Sequence, residues 1–268
     1  MIKDYVSPAD GKYNISNLLE IVSLLRSENG CPWDKVQTHE SIRSSLIEET
    51  YEAADAIDKN DMEALKEELG DVLLQVVFHA QIEREKKNFD FDDICDRVCR
   101  KLILRHPHVF GNAEADTPDE VLDNWDNIKR VEKSQKTFTD TLLSVPEAFP
   151  ALMRAQKLQK RASKAGYDFI DVNDAMDKLS EELCELSDAI SSENEESIFE
   201  EVGDILFSTV NVARLVGADA ENALTKSSDK FVRRFAAAEK SALDQGKSLD
   251  TLSPEELDSL WNNVKKNV

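Results

Sequence analysis

Glu48, Glu49 and Glu52 fall within five positions in LIEETYEAADAI (46–57), and Glu181, Glu182 and Glu185 repeat the arrangement in LSEELCELSDAI (179–190). Each triplet is followed by a further acidic pair, Glu68 with Asp71 and Glu201 with Asp204. Carboxylates three apart on a helix share one face. If the first two runs fold back about residues 59–61, Glu52 and Glu68 each lie eight residues from Asn60, and Glu49 and Asp71 each lie eleven. Equal distances from the turn of a helical hairpin bring residues to one height, so all four should converge roughly 12 to 16 Å from it. The second set is symmetric about Glu193 in the same way, pairing Glu185 with Glu201 and Glu182 with Asp204. Four converging carboxylates repel one another unless a cation sits among them. An all-oxygen donor set without cysteine or histidine points to Mg²⁺, or Mn²⁺ in its place.

Acids make up 54 of the 268 residues, so any four chosen positions are all acidic roughly once in 600 by chance. An acidic helix face is ordinarily just solvated. Recurrence at unchanged spacing, symmetric about a turn both times, is what favours a metal cage. A di-iron bundle would need Glu-x-x-His on two helices. The motif here is Glu-x-x-Asp, and His79 lies eight residues past Asp71. His106 and His108 in RHPHVFG have no second cluster to complete a site and read as structural or loop residues. The chain has no nucleophile elbow, P-loop or GxGxxG, so catalysis would be metal-assisted attack by water. Glu181 and Glu48, each beside a ligand, are candidates to orient that water as a base.

The elements that position these residues come in two copies. A shift of 133 residues aligns EETYEAADAI with EELCELSDAI and EALKEELGDVL with ESIFEEVGDIL. Downstream, KLILRH resembles KFVRRF and WDNIK resembles WNNVK; upstream, CPWD faces GYDF. A tandem duplication follows, with a first domain over 1–135, a linker over 136–149 and a second domain over 150–268. Apolar spacings of three and four predict helices over 15–27, 40–58, 62–87 and 91–105, with Asp61 as an N-cap. Two short charged sets recur with the helices. Lys101 with Arg105, and Lys230 with Arg234, share a helix face and suit phosphates. Trp125 and Trp261 each precede a lysine, Lys129 or Lys265, by four and could stack on a base, although such tryptophans are more often core.

Glycine (8) and proline (7) are scarce, which favours long helices over many short strands. The net charge of -21 argues against nucleic-acid polymers as partners. It leaves room for a single nucleotide bridged by a metal. Cys31, Cys95, Cys99 and Cys184 form no CxxC pair and suit a reducing cytosol. No stretch approaches a membrane span, so no membrane partner and a cytoplasmic location are expected.

EETYE…EELGD and EELCE…EEVGD resemble the EExxE…ExxD signature of the MazG-type, all-α nucleoside triphosphate pyrophosphohydrolases. NGCPWDKVQTHES, RHPHVFG and PALMRAQKLQKRA resemble blocks of the two-copy members, so the likeness covers essentially the whole chain. It implies an all-α fold of two tandem MazG-type domains whose four-helix cores are completed by homodimerisation. It also implies Mg²⁺-dependent hydrolysis of NTPs and dNTPs to the monophosphate and pyrophosphate. Carried across, Glu182, Glu185, Glu201 and Asp204 would bind metal, with Glu49, Glu52, Glu68 and Asp71 as the matching first-copy cage. Lys230, Arg234, Trp261 and Lys265 would hold the nucleotide, with Lys101, Arg105, Trp125 and Lys129 as their counterparts. One departure stands out: the family often has a lysine just before the second acidic pair, and 186–204 contains none. A non-catalytic nucleotide or metal sensor of the same fold would carry the same residues, and a helical scaffold would use both acidic clusters only as solvated surface.

Overall fold

The computed structural model describes residues 11–113, 117, 120–121, 125, 128–130, 132 and 134–265, and among them there is no strand. Two compact units divide the chain between Lys129 and Arg130. The first contains α1 (Ile15–Arg26), α2 (Pro32–Lys35), α3 (Arg43–Lys59), α4 (Met62–Lys86), α5 (Phe91–Arg105) and α6 (Pro107–Phe110). In the second are α7 (Phe138–Leu143), α8 (Ala151–Ser163), α9 (Val172–Ser191), α10 (Glu195–Leu215), α11 (Ala220–Asp244) and α12 (Pro254–Val264), with a 3₁₀ turn at Leu249–Thr251.

The central motif of each unit is a helical hairpin, α3–α4 and α9–α10. Both turns are built alike. Asn60 and Glu193, 133 residues apart, each adopt the left-handed conformation (φ 55° and 53°) that ends a helix and redirects the chain. The next residue caps the second helix: Asp61 accepts from the amides of Glu63 and Ala64, and Asn194 from those of Glu196 and Ser197. Capping of this kind satisfies amides that have no partner inside the helix, and is worth about 1 kcal/mol.

In the first unit α1 lies against α4. Val22, Ile42, Val77, Phe78 and Ile82 form its buried cluster, with Leu18, Leu19, Leu74 and Phe91 packed against it. The spacing of Leu18, Leu19 and Val22 against Leu74, Val77, Phe78 and Ile82 is that of two helices joined along one stripe each. Full burial of each large side chain contributes about 1.5–3 kcal/mol, so Val22→Ala would loosen this joint most directly. In the second unit α8 packs on α10 and α11, and α11 on α12. Its buried apolar positions are mostly small (Ala175, Ala189, Ala220, Ala238, Ala242), which lets the backbones approach closely.

The stretch 136–149, expected to link two domains, contains α7, opened by a capping box between Thr137 and Asp140. It packs on α8, and Arg161 of α8 donates to Ser144 Oγ (2.8 Å) and to the Thr141 carbonyl. After α5, Pro107 opens the short α6 rather than a loop, because proline at a helix start forfeits no intrahelical bond.

Candidate metal centres

The hairpins bring three carboxylates together in each unit. Glu49, Glu68 and Asp71 each offer an oxygen within 4.8 Å of the others, and so do Glu182, Glu201 and Asp204. Glu52 and Glu185 lie outside these triads but interact with them: the charge of Glu52 raises Glu49 and Glu68, and those of Glu182 and Glu201 raise Glu185. Lost hydration first, and neighbouring carboxylates second, push Glu49, Glu68 and Glu201 above the usual carboxylate range. Lost hydration also raises Glu185, against the opposing pull of Lys178. One oxygen of Glu201, Oε2, is buried with no hydrogen-bond partner. Crowded, under-hydrated carboxylates with an orphaned oxygen are the donor chemistry that a hard divalent cation satisfies, so these residues fit such an ion.

The second cage has a feature that the acidic pattern did not reveal. Lys178 Nζ lies 3.0 Å from both Glu181 and Glu182, anchoring the buried Glu182 from one turn away. Its signal was the Lys-x-x-x-Glu spacing in DKLSEE. The first unit has Ser45 at the matching position, and Lys66 of its hairpin pairs with exposed Glu63. Glu181, expected as a water-orienting base, thus sits in an ion pair beside the triad, and Glu48 is solvent-exposed.

The basic and aromatic candidates differ between units. In the first, Arg105 is buried and its guanidinium lies 5.8 Å from the Trp125 ring centre, with Lys129 Nζ 5.7 Å from the same ring. These groups occupy one another, while Lys101 is half-buried on the same helix. In the second unit Trp261 of α12 meets Phe231 of α11 (5.5 Å between ring centres). Arg234, one turn from Phe231, has a buried Nε without a partner, and Lys230 and Lys265 are exposed. The second unit therefore combines a carboxylate oxygen and a guanidinium Nε that both lack a partner, while in the first unit Trp125 Nε1 is buried without one.

A histidine pair also went unread. His39 Nδ1 lies 2.7 Å from His79 Nδ1, its Nε2 2.6 Å from Glu83 Oε1, and the rings stack at 4.9 Å. Forty residues separate the two histidines, so no local spacing announced them. Their counterparts at the 133-residue shift are Val172 and Val212.

Comparison with known proteins places these features in context. The family model described as the MazG nucleotide pyrophosphohydrolase domain matches residues 37–110 and 171–237, which hold both hairpins. The nucleoside triphosphate pyrophosphohydrolase of Escherichia coli K12 is 44% identical over 255 residues, covering 94% of this chain and 97% of its own. The Thermotoga maritima nucleoside triphosphate pyrophosphohydrolase/pyrophosphatase is 44% identical over 92% of this chain and 94% of its own. An uncharacterized Bacillus subtilis protein, YabN, is 46% identical over 95% of this chain but only 52% of its own length.

Proposed function

The chain belongs to the MazG nucleotide pyrophosphohydrolase family, and from that premise we propose that it hydrolyses NTPs and dNTPs to monophosphate and pyrophosphate, clearing nucleotides in the cytoplasm. The observation that carries this reading is the triad Glu182, Glu201 and Asp204 with its orphaned Glu201 oxygen. Glu182, Glu185, Glu201 and Asp204 are the proposed metal ligands, and Mg²⁺ is the proposed ion. Bound there, Mg²⁺ supplies neutralising charge for the triphosphate and acidity for a water nucleophile. The chain's own residues do the rest. Arg234 and Lys230 meet phosphate oxygens, and Trp261 and Lys265 help to hold the nucleotide. Lys178 holds Glu182 in place through their ion pair, and Glu181 accepts the proton of the attacking water.

The second unit is the proposed working centre. Glu49, Glu52, Glu68 and Asp71 can still hold a cation, with Glu48 in the place of Glu181. The nucleotide groups of the first unit, however, are engaged with one another around Trp125. No helix among the described residues is long and apolar enough to cross a membrane.

A homodimer is proposed from the hairpins' outer faces. Leu69, Leu73 and Ile57 are exposed in the first hairpin, and their exact counterparts by position, Val202, Leu206 and Ile190, are exposed in the second. Matching apolar stripes left uncovered twice are what a second helical pair would bury to complete a four-helix core. The test of the reaction is a product screen over the eight common NTPs and dNTPs with Mg²⁺. Pyrophosphate with monophosphate supports it; orthophosphate alone, or nucleotide binding without turnover, contradicts it.

A further inference from the structure

The two units have diverged around one buried position in a way that opens a cavity. At the 133-residue shift Arg26 corresponds to Gln159, Phe78 to Asn211, Gln81 to Arg214 and Glu85 to Ala218. In the first unit Arg26, 9% exposed, fills its space. Its Nε and Nη2 donate to Glu85 at 2.9 and 2.8 Å, and Nη1 donates to the carbonyls of Asp34 and Gln37 at 2.6 and 3.1 Å. Its guanidinium also lies over the Phe78 ring at 5.1 Å. In the second unit the shorter Gln159 reaches only the Phe207 carbonyl, through Nε2 at 2.8 Å. Gln159 is 5% exposed, and its Oε1 is buried without a donor.

What remains is a cavity of about 480 Å³ bordered by Gln159, Asn211, Arg214, Asp168, Leu158 and Phe207. That volume falls in the range of small-molecule sites and far exceeds the roughly 30 Å³ of one water. Its polar groups are sorted by chemistry. Arg214 donates to Asn211 Oδ1 from Nε (2.9 Å) and Nη2 (2.6 Å), and pairs with Asp168. The charges at the wall therefore cancel, and the Asn211 amide is oriented by its oxygen so that its nitrogen is left to donate. Gln159 also lines the cavity, and its Oε1 is an acceptor still without a donor. Phe207 and Leu158 supply apolar walls suited to the face of a ring.

We propose that this cavity is a binding site beyond the metal cage, for an uncharged flat nitrogen heterocycle that presents a hydrogen-bond donor beside an acceptor, the edge of a nucleobase. Carboxamide side chains recognise such edges by paired hydrogen bonds, and the first unit cannot do so because Arg26 and Phe78 occupy the space. Two sources share this chemistry. Asn211 follows Asp204 by seven residues, which puts it on the same face of α10 about 10 Å further along. The heterocycle is thus either the base of the nucleotide whose phosphates meet the cage or a separate nucleoside. Only the first source rests on the proposed hydrolase reading.

The test is titration of the full-length protein with phosphate-free adenosine and uridine, followed by saturation-transfer NMR. Wild type should bind at least one of them saturably. Gln159→Leu, which removes the acceptor, should weaken it about tenfold or more, the scale of one hydrogen bond lost in a desolvated site. Refilling the space with Gln159→Arg and Asn211→Phe together should abolish it. Glu201→Gln should leave it intact even where hydrolysis is lost, which separates this proposal from the hydrolase reading. Repeating the titration with a non-hydrolysable triphosphate and Mg²⁺ assigns the source: competition identifies the substrate's own base, and independent binding a separate nucleoside. Absence of saturable binding to wild type overturns the proposal. So does unchanged affinity in Gln159→Leu when thermal melting shows that this variant is folded.

Discussion

Carboxyls that are raised in the fold make the pH and metal behaviour of the cages calculable in sign. Glu49, Glu68, Glu185 and Glu201 all sit above their ordinary value of 4.5, chiefly through lost hydration. A carboxyl raised on folding contributes stability that is fully present below about 4.5 and lost as pH rises through its folded value. At neutral pH the metal-free cages are therefore a liability that a bound divalent cation would remove. Adding Mg²⁺ at pH 7.5 should raise the melting temperature, and the increment should shrink in Glu201→Gln; a melting curve indifferent to Mg²⁺ would count against both cages. The His39–His79–Glu83 cluster gives a second pH window. Burial, then the neighbouring His39, lowers His79 below 6.5, and hydrogen bonds from Lys86, Asn88 and His39 hold Glu83 at about 2. The stability tied to neutral His79 is complete above 6.5 and is lost as pH falls toward its folded value; that tied to Glu83 is lost only between about 4.5 and 2. His79→Val, the residue of the second copy, should thus flatten the loss of melting temperature between pH 7 and 5.5, as measured by parallel melts. The acids were legible because spacing along one helix carries them. Lys178 was obscured by the charge around it, and the histidine pair by its separation in sequence.

Helix positions followed from apolar spacing because most helices here bury one stripe. The expected spans 15–27, 62–87 and 91–105 end within a residue of Ile15–Arg26, Met62–Lys86 and Phe91–Arg105. The run expected from 40 begins at Arg43, because Ile42 is drawn into the core ahead of it. The helix Phe138–Leu143 was obscured by its two nearby prolines and its short length, although Thr137 and Asp140 form a capping box that marks its start. The hairpin turns carry a test of their own. Glu193 holds a left-handed backbone that costs a non-glycine residue energy, whereas asparagine tolerates it better. Glu193→Asn, copying the first turn, should stabilise the protein by about 0.5 kcal/mol in denaturant unfolding. A destabilised variant would mean that the glutamate side chain, not the turn, sets the energy there.

At the scale of the whole molecule, duplication was readable because the acidic positions recur at one fixed shift. The divergence that opened the cavity at Gln159 was not, since Arg26 and Gln159 are equally ordinary polar residues on a helix until their surroundings are known. The apolar stripes predict assembly: Leu73 and Leu206, 39% and 51% exposed, should be covered in solution by a second copy. Leu206→Glu should shift sedimentation from twice the 30.2 kDa chain mass toward one, while wild type that sediments as a monomer would contradict the proposed four-helix core. The claim that the second unit's carboxylate cage performs the reaction is tested most directly by pyrophosphate release with Mg²⁺ from wild type, Glu201→Gln and Glu68→Gln. Loss of a metal ligand should lower turnover by at least about 100-fold in Glu201→Gln, while Glu68→Gln stays near wild type. Full activity in Glu201→Gln would contradict the account.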